Sequence, residues 1–492
     1  MEPNSINYRQ LYEPSSTRTP ASTPPLSPRK KTNFKIERSG DDKSPIKSDE
    51  KTRSVSRKLE YLGLTDNWTP KAIKHILPAV DNNDSKLVRV IGIFNSIYKF
   101  SQEYASELES LACQNNTIYK SREETGWPFG IVITNAGAIY ALTQERFGCF
   151  DAQFKQMTWA INLDRGQVVA HAELNLTEEI RLKKAREEIL FQNKFGGAYI
   201  PKLLHSYSIS LIQQNIPTVK QCLIMEYCQL GDLNDYLYED VAMEPTEPIW
   251  QIYKDVLQAV ILLHQNGVVH RDIKLANILV NKDTDGKIRG KLADLGLAIY
   301  SQEINLTNRL AGTPDYLPPE IARFILLEQR IEERSIEIDS LKQALKTENE
   351  NPEKKLSRIK QLNIKIKKLQ TRRQADAVLS EKLIKTANQD IWALGIVLCE
   401  IINGNAPLTD VDSRFFMNRL AAVTQNEIES YLDESYSVTQ PLNDLIKKML
   451  SVNPTKRPTA LECLEEILRL EKSQAGVNID ADFNLTGKDY MF

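Results

Sequence analysis

No run of apolar residues in the sequence is long enough to cross a bilayer of about 30 Å hydrocarbon thickness. The longest beside a helix, IWALGIVLCEII from Ile391, reads as a buried helix, and the amino-terminal MEPNSINYRQ lacks the apolar stretch of a secretory leader. Cysteine is sparse: Cys113, Cys149, Cys222, Cys228, Cys399 and Cys463 share no C-x-x-C spacing and have no neighbouring histidine. That argues against structural zinc and a disulfide framework, and for a reducing compartment. Net charge is also nearly absent, since 63 Lys+Arg against 65 Asp+Glu leaves −2. A general pull toward nucleic acid or anionic membrane is thereby excluded. The expected location is the cytoplasm. The short basic run at Arg29 makes the nucleus an alternative, and an Asn-, Gln-, Ile- and Lys-rich composition with only 20 glycines makes host cytosol another, for a secreted bacterial effector.

What remains is the balance of an ordinary globular protein, 41% hydrophobic and 26% charged over 492 residues, enough for about three domains or for a two-lobed enzyme with extensions. Residues 1–57 are rich in Pro, Ser, Thr and Lys and too poor in large apolar residues to offset the entropy of ordering, so they read as a disordered regulatory tail. Ser27-Pro28 and Ser44-Pro45 lie there beside basic residues, as proline-directed kinases prefer. Residues 58–124 read as a helical extension, with Val90, Phe94, Ile97, Tyr104, Leu108 and Leu111 at helical spacing. A hairpin around Asn135-Ala136-Gly137 then opens a sheet.

A second helical section interrupts the carboxy-terminal half at residues 324–386. Apolar residues recur from Phe324 through Leu327, Ile331, Ile338, Leu341 and Leu345, with a skip at Arg334. After the break at Asn349 to Pro352 the same spacing resumes at Leu356, Ile359, Leu362, Ile366 and Leu369. Steps of three and four form a coiled-coil-like seam, so the section is expected to fold back as an αα-hairpin. Its halves bury each other, or it serves as an arm for a partner protein.

The strongest chemical signal is VVHRDIKLANILV, in which His270, Arg271, Asp272, Lys274 and Asn277 stand at the spacing of a protein-kinase catalytic loop. Asp294-Leu295-Gly296 follows at the D-F-G position, and AGTPDYLPPE ends a variant A-P-E at Glu320. Asp390, Trp392 and Gly395 match a D-x-W-x-x-G helix start. Together these motifs make residues 125–472 resemble eukaryotic-type serine/threonine protein kinases: an α+β bilobal fold with a β-rich N-lobe (125–228), a helical C-lobe (229–472) and a carboxy-terminal tail at 473–492.

That resemblance implies ATP and Mg²⁺ as cofactors and a protein hydroxyl as substrate. Phosphoryl transfer leaves the protein mainly positioning and charge neutralisation. Asp272 is then expected to orient the hydroxyl and accept its proton, Lys274 to contact the γ-phosphate, and Asn277 and Asp294 to hold Mg²⁺. The backbones of Glu226 and Cys228, after the gatekeeper Met225, would meet the adenine edge, and Thr313 would tether the peptide platform to Asp272 and Lys274. Arg457 would pair with Glu320 in a purely structural role.

One residue departs from the pattern. The third N-lobe strand, QVVAHAELNL, carries Ala172 where kinases place the lysine that grips the phosphates. A unit charge about 4 Å from a phosphate oxygen is worth on the order of 4 kcal/mol at an effective dielectric of about 20, or roughly a thousandfold in rate. In a strand-turn-strand reading of FKQMTWAINLDRGQVVAHAEL with the turn centred between Leu163 and Asp164, Lys155 falls directly opposite Ala172 on the same face. This layout resembles the With-No-Lysine kinases, in which a second-strand lysine replaces the third-strand one.

Glu187 is the expected carboxylate partner of Lys155, with Glu188 as the alternative. The phosphate-covering loop RFGCFDAQFK offers only Gly148 where several glycines are usual. The competing function is a pseudokinase scaffold that binds a partner through residues 324–386.

Overall fold

A computed structural model of the chain describes residues 92–97, 99–100 and 103, and then 117–474 apart from 147–154, 177–178, 214–215, 240–246, 305–310, 351–355, 383–387, 405, 408–412 and 436–439. The proline-rich tail, Gly148 and most of the amino-terminal extension lie outside the described residues.

The chain opens with β1 (Ile118–Lys120), the short helix α1 (Arg122–Thr125), β2 (Gly130–Ile133), β3 (Ile139–Arg146), β4 (Lys155–Asn162) and β5 (Gln167–Leu176). Helix α2 (Glu179–Phe195), β6 (Leu203–Gln213) and β7 (Ile216–Glu226) complete the first lobe. Its seven-stranded sheet runs β1-β2-β3-β4-β5-β7-β6, so the sheet begins one strand before the hairpin expected to open it. That hairpin turns where the sequence indicates, with Gly137 at φ 80° and its N–H donating to Thr134 O. From the extension, buried Phe94, Ile97 and Phe100 are described, and the Phe100 ring meets Trp127 and Phe129 edge-on at 5.1 and 5.3 Å.

The second lobe is mainly helical: α3 (Leu233–Glu239), α4 (Glu247–Gln265), β8 (Val268–Val269), β9 (Ile278–Lys282), β10 (Ile288–Leu292) and β11 (Ile299–Tyr300), then α5 (Pro319–Glu350), α6 (Leu356–Lys382), α7 (Gln389–Asn403), α8 (Ser413–Ala422), α9 (Gln425–Ser435), α10 (Gln440–Met449) and α11 (Ala460–Gln474). The apolar run from Ile391 becomes the buried α7, with Trp392, Leu394, Val397 and Leu398 at 1% exposure or less. Among the described residues no helix is long and apolar enough to cross a membrane.

Helices α5 and α6 run antiparallel and share a small apolar seam of Ile338, Ile366 and Leu369, with Leu341 and Leu345 packed against it. Arg334 pairs with Asp376, and Lys365 reaches Glu337 at 2.8 Å. The expected seam extends too far at one end: Leu356 is 70% exposed, because α6 begins there.

Candidate active site

The catalytic loop is organised by α7. Asp390 at its first turn accepts the backbone N–H groups of His270 and Arg271 at 2.8 Å each, and His264 Nε2 lies 2.9 Å away. Burial alone would raise Asp390, but these donors hold it below the usual carboxylate range. Arg271 takes a left-handed backbone at φ 72° and donates from Nε to Leu297 O at 2.6 Å.

The loop thereby presents Asp272. Its Oδ1 accepts the Thr313 N–H at 2.9 Å and the Thr313 hydroxyl at 2.7 Å, while its Oδ2 meets Lys274 at 2.9 Å and Asn277 Nδ2 at 3.0 Å. Lys274 Nζ also donates to Thr313 Oγ1 at 2.7 Å, so Asp272, Lys274 and Thr313 form one network. Gly312 makes the approach possible: at φ 118°, a Cβ there would stand 2.6 Å from Arg271 O.

The ion cluster contains the lysine supplied by β4. Lys155 Nζ donates to Glu188 Oε1 at 2.7 Å and to Asp294 Oδ1 at 3.1 Å. Burial by itself would lower this ammonium, yet the Asp294 and Glu188 carboxylates outweigh burial and hold it above the ordinary lysine range. Reciprocally, Asp294 would rise through burial, and Lys155 keeps it below its ordinary value. Asp294 sits at φ 66°, and Gly296 gives it room, since a Cβ at Gly296 would touch Asp294 Oδ1 and Glu188 Oε2 at 3.3 Å each.

The route by which Lys155 reaches this place differs from the sequence reading. Residues Leu163–Gly166 form the turn, closed by Asn162 Oδ1 accepting from the N–H groups of Asp164 and Arg165 and by Gly166 at φ 62°. The register is therefore shifted: Ala172 opposes Met157, and Lys155 opposes Leu174. A two-residue displacement keeps the same face of the pleat, and the lysine stem spans the step. Ala172, fully buried, packs among Met157, Ala185 and Leu223.

The partner carboxylate is also corrected. The buried face of α2 carries Ala185, Glu188, Gln192 and Phe195, a helical spacing that includes Glu188 and leaves Glu187 one residue, or about 100°, off. Glu187 instead lies 3.6 Å from the exposed Lys183, its own side chain 31% exposed. The signal that locates the acid is this buried repeat itself.

His171 projects from the other face of β5 and is buried between Thr158 Oγ1 (3.2 Å) and Tyr207 OH (2.9 Å), where burial pulls it down to about 4. At the second face of the cleft, Met225 is buried and Glu226 and Cys228 carry the chain from β7 into the second lobe. Arg457 forms a bidentate pair with Glu320 at 2.6 and 2.7 Å.

For a hard divalent cation the donors are suitable oxygens. Asp294 is held ionised, and Asn277 spends its amide donor on Asp272 O and Oδ2, leaving its own oxygen as an acceptor.

A family model for the protein kinase domain matches residues 153–339 and 371–468, and the break between the two parts falls within the α5–α6 pair. The phosphorylase b kinase gamma catalytic chain, liver/testis isoform, of Bos taurus is 27% identical over 300 residues, 61% of this chain and 57% of its own. A carbon catabolite-derepressing protein kinase of Secale cereale is 24% identical over 277 residues (56% and 40%), and the serine/threonine-protein kinase DCLK3 of Mus musculus 28% over 271 (54% and 26%). The matched region thus spans 57% or less of each of these curated relatives.

Proposed function

From the premise that this chain belongs to the protein kinase domain family, whose model covers more than half of it, we propose that it is an ATP- and Mg²⁺-dependent serine/threonine protein kinase in which Lys155 supplies the phosphate-binding charge absent at Ala172. The observation that carries the reading is the Lys155 ammonium seated between Glu188 and Asp294. A lysine in that seat is oriented from one side by a buried carboxylate and faces the D-L-G aspartate on the other. The layout is similar to that of With-No-Lysine kinases, with the lysine crossing from the neighbouring strand.

In this scheme the Glu226 carbonyl and Cys228 N–H meet the adenine edge, and Lys155 neutralises phosphate oxygens. Asp294 and Asn277 hold Mg²⁺, which supplies charge neutralisation at the β- and γ-phosphates when bound. Asp272 orients the substrate hydroxyl and takes its proton, while Lys274, already within 2.7 Å of Thr313, neutralises the transferring group and ties it to the peptide platform. Serine and threonine are the expected acceptors, which agrees with the relatives named as serine/threonine kinases.

Radiolabelled autophosphorylation of the intact chain tests the proposal. Transfer in the wild type and its loss in Asp272→Ala support it. Absence of transfer, together with no rise in melting temperature at millimolar Mg-ATP, would instead favour a scaffold acting through the α5–α6 pair, because a ligand that binds only the folded state must stabilise it.

A further inference from the structure

Outside the groups described above, one buried lysine of the second lobe reaches residues of the first. Lys291 lies next to the end of β10 and is 8% exposed, between buried Gly290 and Leu292. Its Nζ stands 3.0 Å from Glu226 Oε2 and donates to Gly197 O, in the loop after α2. The Glu226 carboxylate also accepts the Lys202 N–H at 3.1 Å and Asn281 Nδ2 at 3.2 Å, and the Glu226 N–H donates to Lys202 O at 2.9 Å. Lys291 and Asn281 belong to the second lobe, and Gly197 and Lys202 to the first. The cluster therefore bridges the lobes at the residue whose backbone meets the adenine edge.

We propose that Lys291 is a positioning residue for ATP: by clamping the Glu226 side chain to both lobes, it fixes the orientation of the Glu226–Cys228 peptide groups that receive adenine. The inference rests on the ATP-dependent reading above. Charge-assisted hydrogen bonds are about twice as strong as neutral ones, so this clamp is stiffer than backbone pairing alone. Lys291 touches neither phosphate nor substrate, and its loss acts on nucleotide affinity and leaves the chemical step in place. Glu226 and Lys291 act as one unit, so removing either has the effect of removing both.

The test is steady-state kinetics of Lys291→Met, Glu226→Gln, the double variant and Lys291→Arg, each with its melting temperature. The expected result is a KM for ATP about tenfold higher in both single variants, the size of one charge-assisted hydrogen bond. The double variant should be no worse than the singles, kcat of Lys291→Met should stay within about threefold of wild type, and Lys291→Arg should recover most of the affinity. A fall in kcat and melting temperature with KM unchanged marks Lys291 as merely structural and overturns the proposal, as does strict additivity in the double variant. A wild type without transfer removes the reading on which the clamp rests, and the clamp with it.

Discussion

Lys155→Met removes one charge and little volume, which makes it the sharpest probe of the site. The Lys155 side chain is 14% exposed and Glu188 6%, so both ends of the contact are largely shielded from water. A charge of this kind beside a phosphate oxygen is worth on the order of 4 kcal/mol, and kcat should fall roughly a thousandfold. The assay is initial-rate phosphate transfer to a generic protein substrate, with Asp272→Ala defining background. Melting temperature reports folding separately, and a modest fall is expected because Glu188 and Asp294 lose the cation between them. Returning a lysine to the strand that lacks it should not repair the loss. Ala172 is buried among Met157, Ala185 and Leu223, and Lys155→Met/Ala172→Lys should regain less than about tenfold of the lost rate, given the cost of overpacking that cluster. A Lys155→Met enzyme that keeps a tenth or more of wild-type activity would refute the assignment of the phosphate charge to β4.

Glu188→Gln should cut activity by about 10- to 100-fold, the weight of one hydrogen bond to a charged group, whereas Glu187→Gln, a half-buried carboxylate paired with exposed Lys183, should stay within about fivefold; parallel kinetics of the two separate the partner of Lys155 from its neighbour. Arg457→Met strands Glu320, whose side chain is 3% exposed, and should cost about 3–5 kcal/mol in urea unfolding, with Arg457→Met/Glu320→Leu recovering much of it. Glu400 accepts hydrogen bonds from Tyr316 OH, and burial pushes it up to about 7 from an ordinary 4.5. The folded chain therefore binds more protons than the unfolded one between those values. Stability should fall as pH rises across that window, by about 3 kcal/mol in all, and Glu400→Gln should flatten that part of the melting profile.

The loop around Asp272 was legible as one cluster because its residues are contiguous. Asp272, Lys274 and Asn277 are fixed relative to one another by a few backbone bonds, and their spacing alone announces them. The same holds for the buried α7 and for the pairing of α5 with α6, both written in apolar spacing. Lys155 could be nominated from the neighbouring strands, but its register could not, because a two-residue slip keeps every side chain on its face and leaves the hydrophobic pattern unchanged. Only the Asn162-capped turn, formed in three dimensions, decides that Met157 and not Lys155 opposes Ala172. The choice of Glu188 over Glu187 is of the same kind: adjacent residues of one helix differ by about 100°, and packing of α2 against the sheet selects between them. The clamp of Lys291 on Glu226 joins positions 65 residues apart, and no local pattern reports it. Short-range chemistry was thus set by the chain itself, and the placing of charges across strands and lobes by the packed fold, because burial and proximity exist only once distant segments have met.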